Sequence, residues 1–246
     1  MDLAAILGSL LGLGAVVGGQ LLEGGALGQI LQGTAALIVF GGTLGAMLVA
    51  YPFSDIRRAF GMIPRIYQSV DLDFGPTIEE VVRIATIARK EGVLALETER
   101  ANIQDPLLRK AVKYVVDGLE PSVVREVLEA EIEHAYERDE SAAKVFEGAG
   151  GFAPTIGIIG AVLGLIHVMS MLNDPSKIGE GIAVAFVATV YGVGLANLVL
   201  IPWGTKIKRQ AEQRRLQRDV VRLGIQGIQE GLNPHFLREK LEIYLA

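Results

Sequence analysis

The chain contains no cysteine. That absence excludes disulfide staples and thiolate metal sites. The three histidines are scattered and offer no ligand spacing of the H-x-x-x-H kind, so no zinc centre and no metal cofactor is expected. An excess of basic charge is missing too: 23 Lys and Arg stand against 28 Asp and Glu. A nucleic-acid binder would need a basic patch, so nucleic acid is not an expected partner. Aromatic residues are few, 6% of the chain. The most telling absence is local. "GGFAPTIGIIGAVLGLIHVMSML" (150–172) and "IAVAFVATVYGVGLANLVLIPW" (182–203) carry no acidic or basic side chain apart from His167.

What is present is apolar and segregated. Half of the residues are hydrophobic while a fifth are charged, so the apolar residues must be gathered into blocks, as in a membrane protein with soluble parts. Four stretches are long enough to cross a hydrocarbon core of about 30 Å as helix. They run roughly from Leu3 to Leu22, Gly33 to Tyr51, Pro154 to Leu172 and Ile182 to Trp203. The first reads as a span and not as a cleaved signal peptide, because Asp2 and no Lys or Arg precede it.

Basic residues set the expected orientation. Arg57, Arg58 and Arg65 follow the second span, and Lys206, Lys208, Arg209, Arg214, Arg215 and Arg218 follow the fourth, whereas "EGGALGQILQ" and "NDPSKIG" hold only Lys177. Both long polar regions are therefore expected in the cytoplasm, with both termini inside and two short loops outside. The expected fold class is all-α: a polytopic membrane protein with four transmembrane helices and a helical cytoplasmic insertion between the second and third. The expected division is a transmembrane hairpin over 1–51, a cytoplasmic helical domain over 52–150, a second hairpin over 151–204 and a helical cytoplasmic tail over 205–246.

The insertion has helical punctuation. Thr77 with Glu80 has the spacing of a capping box at the start of a helix bearing Val81, Ile84, Ala85 and Ala88 on one face. Asp105 before Pro106 is an N-cap and first-turn pair, and Gly118 ends that helix. From "EPSVVREVLEAEIEHAYERDESAAKVFEG" another helix is expected, continuous toward the third span. The basic tail helix admits two readings, an electrostatic stop at the anionic lipid of the inner leaflet or packing against the insertion.

In lipid there is no hydrophobic drive between helices, so small residues mark close helix contacts. Gly157, Gly160 and Gly164 supply them on the third span, and Ala185, Thr189, Gly192 and Ala196 recur at helical spacing on the fourth. This is either plain helix packing or the lining of a pore. The polar groups available, Thr155 and Thr189, do not titrate near neutral pH. If ions pass here, the carboxylate must belong to another chain. A membrane enzyme is disfavoured, since no cluster of acid, base, nucleophile or metal ligands stands at a membrane boundary.

The strings "GTAALIVFGGTLGA", "ARKEGVLALE", "KVFEGAGGFAPTIGIIGAVLGLIHVM" and "GIAVAFVATVYGVGLANLVLIP", in this order, resemble the motility protein A family, the A subunits of bacterial flagellar stators, within the MotA/TolQ/ExbB proton-channel family; the third string is most similar to its MotC-like branch. The resemblance covers nearly the whole chain. It implies an inner-membrane homopentamer around two B subunits, whose single transmembrane helices each bring an aspartate into a pore lined by the third and fourth spans. It also implies a rotor switch-complex protein as partner, with proton flux converted into torque. The alternative is an ExbB- or TolQ-like energiser of the envelope, which has three spans; the extra first hairpin and "ARKEGVLALE" favour the stator.

By the same resemblance, Pro154 and Pro202 match prolines at the cytoplasmic ends of the pore spans and are expected in a gating role, compatible with a plain helix-end device. Arg89 and Glu97 match the charged pair presented to the rotor; otherwise they are two solvated charges. On one continuous helix they would stand roughly 12 Å apart and offset in angle, too far for one salt bridge. Ala161 occupies the position where sodium-coupled relatives commonly carry a threonine, so Thr155, Ala161 and Thr189 outline an ion pathway suited to protons. His167, the one ionisable group inside a span, is read either as a relay or as a neutral imidazole near the outer end. Tyr191 and Trp203 are read as packing and interfacial anchors.

Overall fold

The computed structural model describes residues 1–69, 73–171 and 175–245. Leu172, the expected end of the third span, and Asn173 and Asp174 of the second outer loop lie outside the described residues. All regular structure among the described residues is helical. Four helices are long and apolar enough to cross a membrane: Leu3–Leu22, Leu27–Ala50, and segments of Pro121–Ser170 and Gly181–Gln229.

The residues divide into two compact units. The first comprises Met1–Ser69 and Asp139–Lys208, the second the described residues of 70–138 and 209–246. In the first unit the span Leu3–Leu22 is N-capped by Asp2, whose carboxylate accepts from Ala5 N at 3.0 Å and from Lys206 Nζ. The second span starts earlier than its apolar run suggests. "EGGALGQILQ" is not all loop: Leu27–Ile30 is helical, and after a break at Leu31 and Gln32 the helix resumes at Gly33 and passes through a π turn, Leu37–Gly41. The amphipathic helix Phe53–Ile66 follows, an element without a clear start signal in sequence. It buries Ile56, Ala59, Met62 and Ile66 in a core with Met47, Ala143, Phe146 and Ala153. The Phe146 ring stands edge-on to Trp203 at 5.7 Å, so Trp203 is a half-buried packing residue.

The third span belongs to a single helix, Pro121–Ser170, continuous as its sequence suggests. The fourth begins before Ile182, at Pro175, and does not end at Trp203: helix Pro175–Leu195 passes into a π turn, Ala196–Leu200, and then into helix Ile201–Gln229. Span and basic tail are thus one helical run. The π turn has a local cause. Proline at 202 has no N–H to give to the carbonyl one turn back and its ring crowds that carbonyl, and a widened turn just before it relieves both effects.

The second unit is a helical core of its own. Helix Gly75–Glu91 buries Ile78, Val81, Val82, Ile84 and Ala85, with Ala88 partly buried. The expected capping box at its start does not form. The helix begins two residues before Thr77, with Pro76 in the first turn, and Asp73 Oδ1 accepts from Gly75 N at 2.8 Å. Thr77, already helical, instead accepts from Gln217 Nε2 at 3.4 Å. Helix Pro106–Val116 is capped as its sequence indicates, Asp105 Oδ1 accepting from Leu108 N at 2.7 Å, and it stops at Gly118 with φ +74°.

The tail is a packing element in this unit. Val220, Val221, Ile225 and Ile228 enter the same core as Val81, Leu108 and Leu128. After Gly231 (φ +70°) the chain turns back, and helix Pro234–Glu242 adds Leu237 and Leu241. Three of its basic residues pair with insertion carboxylates: Arg215 with Glu133 at 2.7 Å, Arg222 with Glu129 at 2.9 Å, and Arg238 with Glu79. The Arg238 guanidinium, hydrogen-bonded to Glu79, holds that carboxyl below the usual glutamate range.

Candidate functional site: the seam between the third and fourth spans

Absence of side chains brings the two pore-candidate helices into backbone contact. A Cβ built on Gly157 would lie 2.9 Å from Ala188 O and 3.2 Å from Gly192 Cα. One on Gly192 would lie 2.5 Å from Ala153 O, 3.0 Å from Gly157 Cα and 3.2 Å from Pro154 Cα. A Cβ on Gly160 would lie 2.8 Å from Ala188 Cβ, and one on Gly164 would lie 3.0 Å from Ala185 Cβ. Such distances exclude any larger residue without parting the helices. In lipid this close approach replaces the hydrophobic effect as the source of association.

The contact stripe on the fourth span differs in one position from the spacing read in sequence. Ala188, which meets both Gly157 and Gly160, is fully buried, as are Ala185, Gly192 and Ala196, while Thr189 is half-buried beside them. The signal was there in the alternating steps of four and three from Gly181 through Ala185, Ala188 and Gly192. Thr189 Oγ donates to Ala185 O at 3.3 Å, the usual way a helical hydroxyl satisfies itself.

The three ion-pathway candidates are not equivalent. Ala161 and Thr189 are both half-buried and flank the seam, whereas Thr155 is exposed and donates to Phe152 O at 2.7 Å. Thr155 lies roughly 160° around the helix from Gly157. Pro154 is half-buried inside the long helix and not at a helix end; the helix end expected there is absent because the chain remains helical from Pro121. Pro202 stands at the second position of helix Ile201–Gln229, directly after the π turn.

The second span buttresses the seam. Ile38 approaches Gly160, Ile156 approaches Gly42, and Ala35 and Val39 cluster with Val187 and Ala188. Tyr191 makes a contact that its sequence did not announce: its hydroxyl donates to Ile30 O at 2.5 Å and accepts from Gln32 N at 3.3 Å. It thereby satisfies backbone groups left open by the helix break, where lipid offers no partner. His167 is exposed and shares a cavity of about 540 Å³ with Gln32, Gly33, Thr34 and Gly164.

In the second unit, Arg89 and Glu97 do not share one helix. The helix ends at Glu91, Gly92 takes φ +88°, a 3-10 turn covers Val93–Ala95, and Glu97 sits on Leu96–Glu99. Glycine is required at 92 because side-chain-bearing residues disfavour that conformation. Leu96 and Ile103 are fully buried and anchor the segment. Arg83 pairs with Glu99 at 2.5 Å, and the Arg109 guanidinium donates twice to Ile103 O. Arg89 and Glu97 are exposed, Glu97 paired with Arg100 at 3.1 Å.

Comparisons with known proteins agree with this arrangement. The sequence profile of the MotA/TolQ/ExbB proton channel family matches residues 99–220, and that of the motility protein A N-terminal region matches residues 6–90. Motility protein A of Helicobacter pylori is 35% identical over 246 residues, covering 100% of this chain and 96% of that protein. The structure of C. jejuni MotAB is similar with a TM-score of 0.93 at 31% identity, covering 100% of this chain and 96% of that one. The flagellar MotAB stator complex from Bacillus subtilis is similar with a TM-score of 0.90 at 30% identity, covering 98% and 95%. Identity of this extent over whole chains, on the same helical fold, means that the chain belongs to the motility protein A family within the MotA/TolQ/ExbB proton channel family.

Proposed function

We propose that the chain is the A subunit of a flagellar motor stator in the bacterial inner membrane, which conducts protons together with a B subunit and converts their flux into torque on the rotor. One observation carries this reading: two closely packed membrane-length segments contain no carboxylate, so the titrating group must come from a partner. That partner is a B subunit with a single transmembrane helix bearing an aspartate. The Bacillus subtilis structure similar to this chain is by name a flagellar MotAB stator complex. The match of the motility protein A N-terminal region over residues 6–90 favours a stator over an ExbB- or TolQ-like energiser.

The assembly is a ring of five A subunits with the third and fourth spans innermost. Residues 1–51 and 151–204 form the membrane part, residues 52–150 and 205–246 the cytoplasmic part, and both termini lie inside. Arg89 and Glu97 present opposite charges to the rotor from a rigid knuckle, and Pro154 and Pro202 set the inner ends of the ion path. Protons suit this path better than sodium. With Ala161 flanking the seam, the side-chain oxygen that Thr189 offers there is a single hydroxyl, and one hydroxyl with one carboxylate is a thin substitute for a sodium hydration shell. Protonation instead neutralises the partner's aspartate and makes passage through apolar surroundings inexpensive.

The test is expression of this subunit with its B subunit in a stator-less cell, with swimming speed measured against external sodium at fixed pH and against a protonophore at fixed sodium. Speed indifferent to sodium and abolished by the protonophore is expected, as is loss of rotation in Thr189→Ala. Speed that tracks sodium and survives the protonophore overturns proton coupling. Native mass spectrometry of the complex giving a dimer or tetramer of this chain overturns the pentamer.

A further inference from the structure

Glu147 is the first carboxylate met on the third-span helix going back from Pro154. Helix Pro121–Ser170 carries Glu147, Pro154 and Ala161 at steps of seven residues. Each such step turns an α-helix by only roughly 20° short of two full turns, so the three occupy one edge. All three are half-buried. This edge lies more than about 100° around the helix from Ile156 and Gly160, which meet the second span. On the fourth span, Thr189 likewise stands about half a turn from Val187 and Tyr191, which face the second span. Thr189, Ala161 and Pro154 therefore follow one edge of the seam, the one the second span leaves open, and Glu147 continues their line along the third-span helix, where it packs on Gly204 of the facing helix while Tyr51, at the end of the second span, donates to Lys144 O beside it.

The surroundings of Glu147 leave its charge available. Gly204 on the facing helix gives way to it: a Cβ there would fall 2.7 Å from Glu147 Cγ. Two nearby cations are already engaged, Lys144 with Glu140 at 2.8 Å and Lys206 with Asp2. Lys208, one turn beyond Gly204, makes no ion pair with Glu147, and among the described residues Glu147 has no ion-pair or hydrogen-bond partner. A half-buried carboxylate without a cation, in line with Pro154 along the helix, is placed to accept a proton arriving from the ion path.

We propose that Glu147 is the inner acceptor of the coupling ion, taking it from the partner's carboxyl group and releasing it to the cytoplasm. This rests on the stator reading above. The ion is then released roughly 10 Å along the helix from the mouth that Pro154 marks. In proton coupling, the partner's carboxylic acid gives its proton through water to the Glu147 carboxylate and is left as a carboxylate. Glu147 then gives the proton to bulk water and returns to its charged form. Glu147 thus restores the charge on the partner before the next proton enters from outside.

The experiment is ion flux through the full stator, this chain with its B subunit, in vesicles under an imposed potential, normalised to the amount of complex recovered by size exclusion. Glu147→Gln is expected to lower proton flux at least about tenfold at unchanged complex yield, and Glu147→Asp to restore most of it. Flux through Glu147→Gln within about twofold of wild type overturns the proposal. So does loss in Glu147→Asp equal to that in Glu147→Gln, because a purely structural role would not distinguish charge retention. If Glu147→Gln assembles poorly, the Asp variant, normalised in the same way, decides. Wild-type complex that carries sodium and not protons overturns the proton reading alone, and the Gln-to-wild-type ratio is then read on sodium flux. Wild-type complex that carries neither ion overturns both.

Discussion

Replacing Gly192 by alanine adds one methyl group where two backbones touch. The new Cβ would lie 2.5 Å from Ala153 O, whereas ordinary contact starts at 3.4 Å, so the helices must part by roughly 0.9 Å. The obstacle cannot rotate away, because it is backbone on both sides of Pro154, whose ring fixes the local geometry. Parting the seam by this much forfeits a quarter to a half of the dispersion energy along the contact, and overpacking of this kind costs about 1–3 kcal/mol. Alanine returns up to about 1 kcal/mol through its higher helix propensity. The expected net loss is about 1–2 kcal/mol, on the order of a few degrees in midpoint for a chain of this length. Gly45→Ala is the control: nothing lies within 4 Å of its Cβ position, so it should be neutral or slightly stabilising. The assay is thermal unfolding of the purified chain in detergent, followed by the fluorescence of Trp203, the single tryptophan, which packs on Phe146. Equal stability of Gly192→Ala and wild type, or equal loss in both variants, refutes the packing argument.

Tyr191→Phe removes a donor to Ile30 O and an acceptor for Gln32 N, costing about 1–3 kcal/mol, and should raise hydrogen exchange selectively over residues 27–34. Asp105→Ala removes the N-cap of helix Pro106–Val116 and should lower stability by about 1 kcal/mol, read from denaturant midpoints. For Glu79 the folded pKa is depressed by its hydrogen bond from Arg238, so its contribution is present above the ordinary glutamate pKa and lost as pH falls through the folded value. The midpoint difference between wild type and Glu79→Gln should therefore be visible at neutral pH, close on acidification, and shrink in high salt because the pair is exposed. Charge reversal at Arg89 or Glu97 should impair motility at unchanged membrane abundance, since exposed charges contribute little to stability but steer and register a contact. Compensation by the opposite reversal on the rotor protein supports the contact, and loss of folded protein from the membrane counts against it.

The four spans, the all-helical class, the helix start at Asp105 and the helix stop at Gly118 were legible in the sequence, because each depends on composition or on a backbone preference within a few residues. Apolar length suffices for a span, and Asp-Pro or glycine at a helix end acts through its own φ and its own hydrogen bond. Where two local signals competed, reading the sequence failed. Thr77 and Glu80 had the spacing of a cap, but Pro76 with Asp73 starts the helix earlier, and Thr77 is left to accept from Gln217. Arg89 and Glu97 looked like residues of one helix because Gly92 alone cannot announce whether it bends the chain; in the fold it takes a positive φ, and the segment after it is anchored by the buried Leu96 and Ile103.

Sequence by itself determined which helices in this protein are rich in small residues, that no carboxylate stands within the third and fourth spans, and to which family the strings belong. Tertiary structure alone decided which small residues meet. Ala188, not Thr189, receives Gly157 and Gly160, because the seam follows the 3.6-residue pitch of two antiparallel helices and the edge of that stripe is set by the partner helix. It also decided that the basic tail packs in the helical core instead of merely marking a membrane boundary, since a run of arginines is compatible with lipid and with carboxylates alike. Only the positions of Glu129, Glu133 and Glu79 in three dimensions choose between them. The same holds for Glu147. In sequence it is one of 28 acidic residues, and its lack of a cation becomes visible only once Lys144 and Lys206 are seen to be held by Glu140 and Asp2.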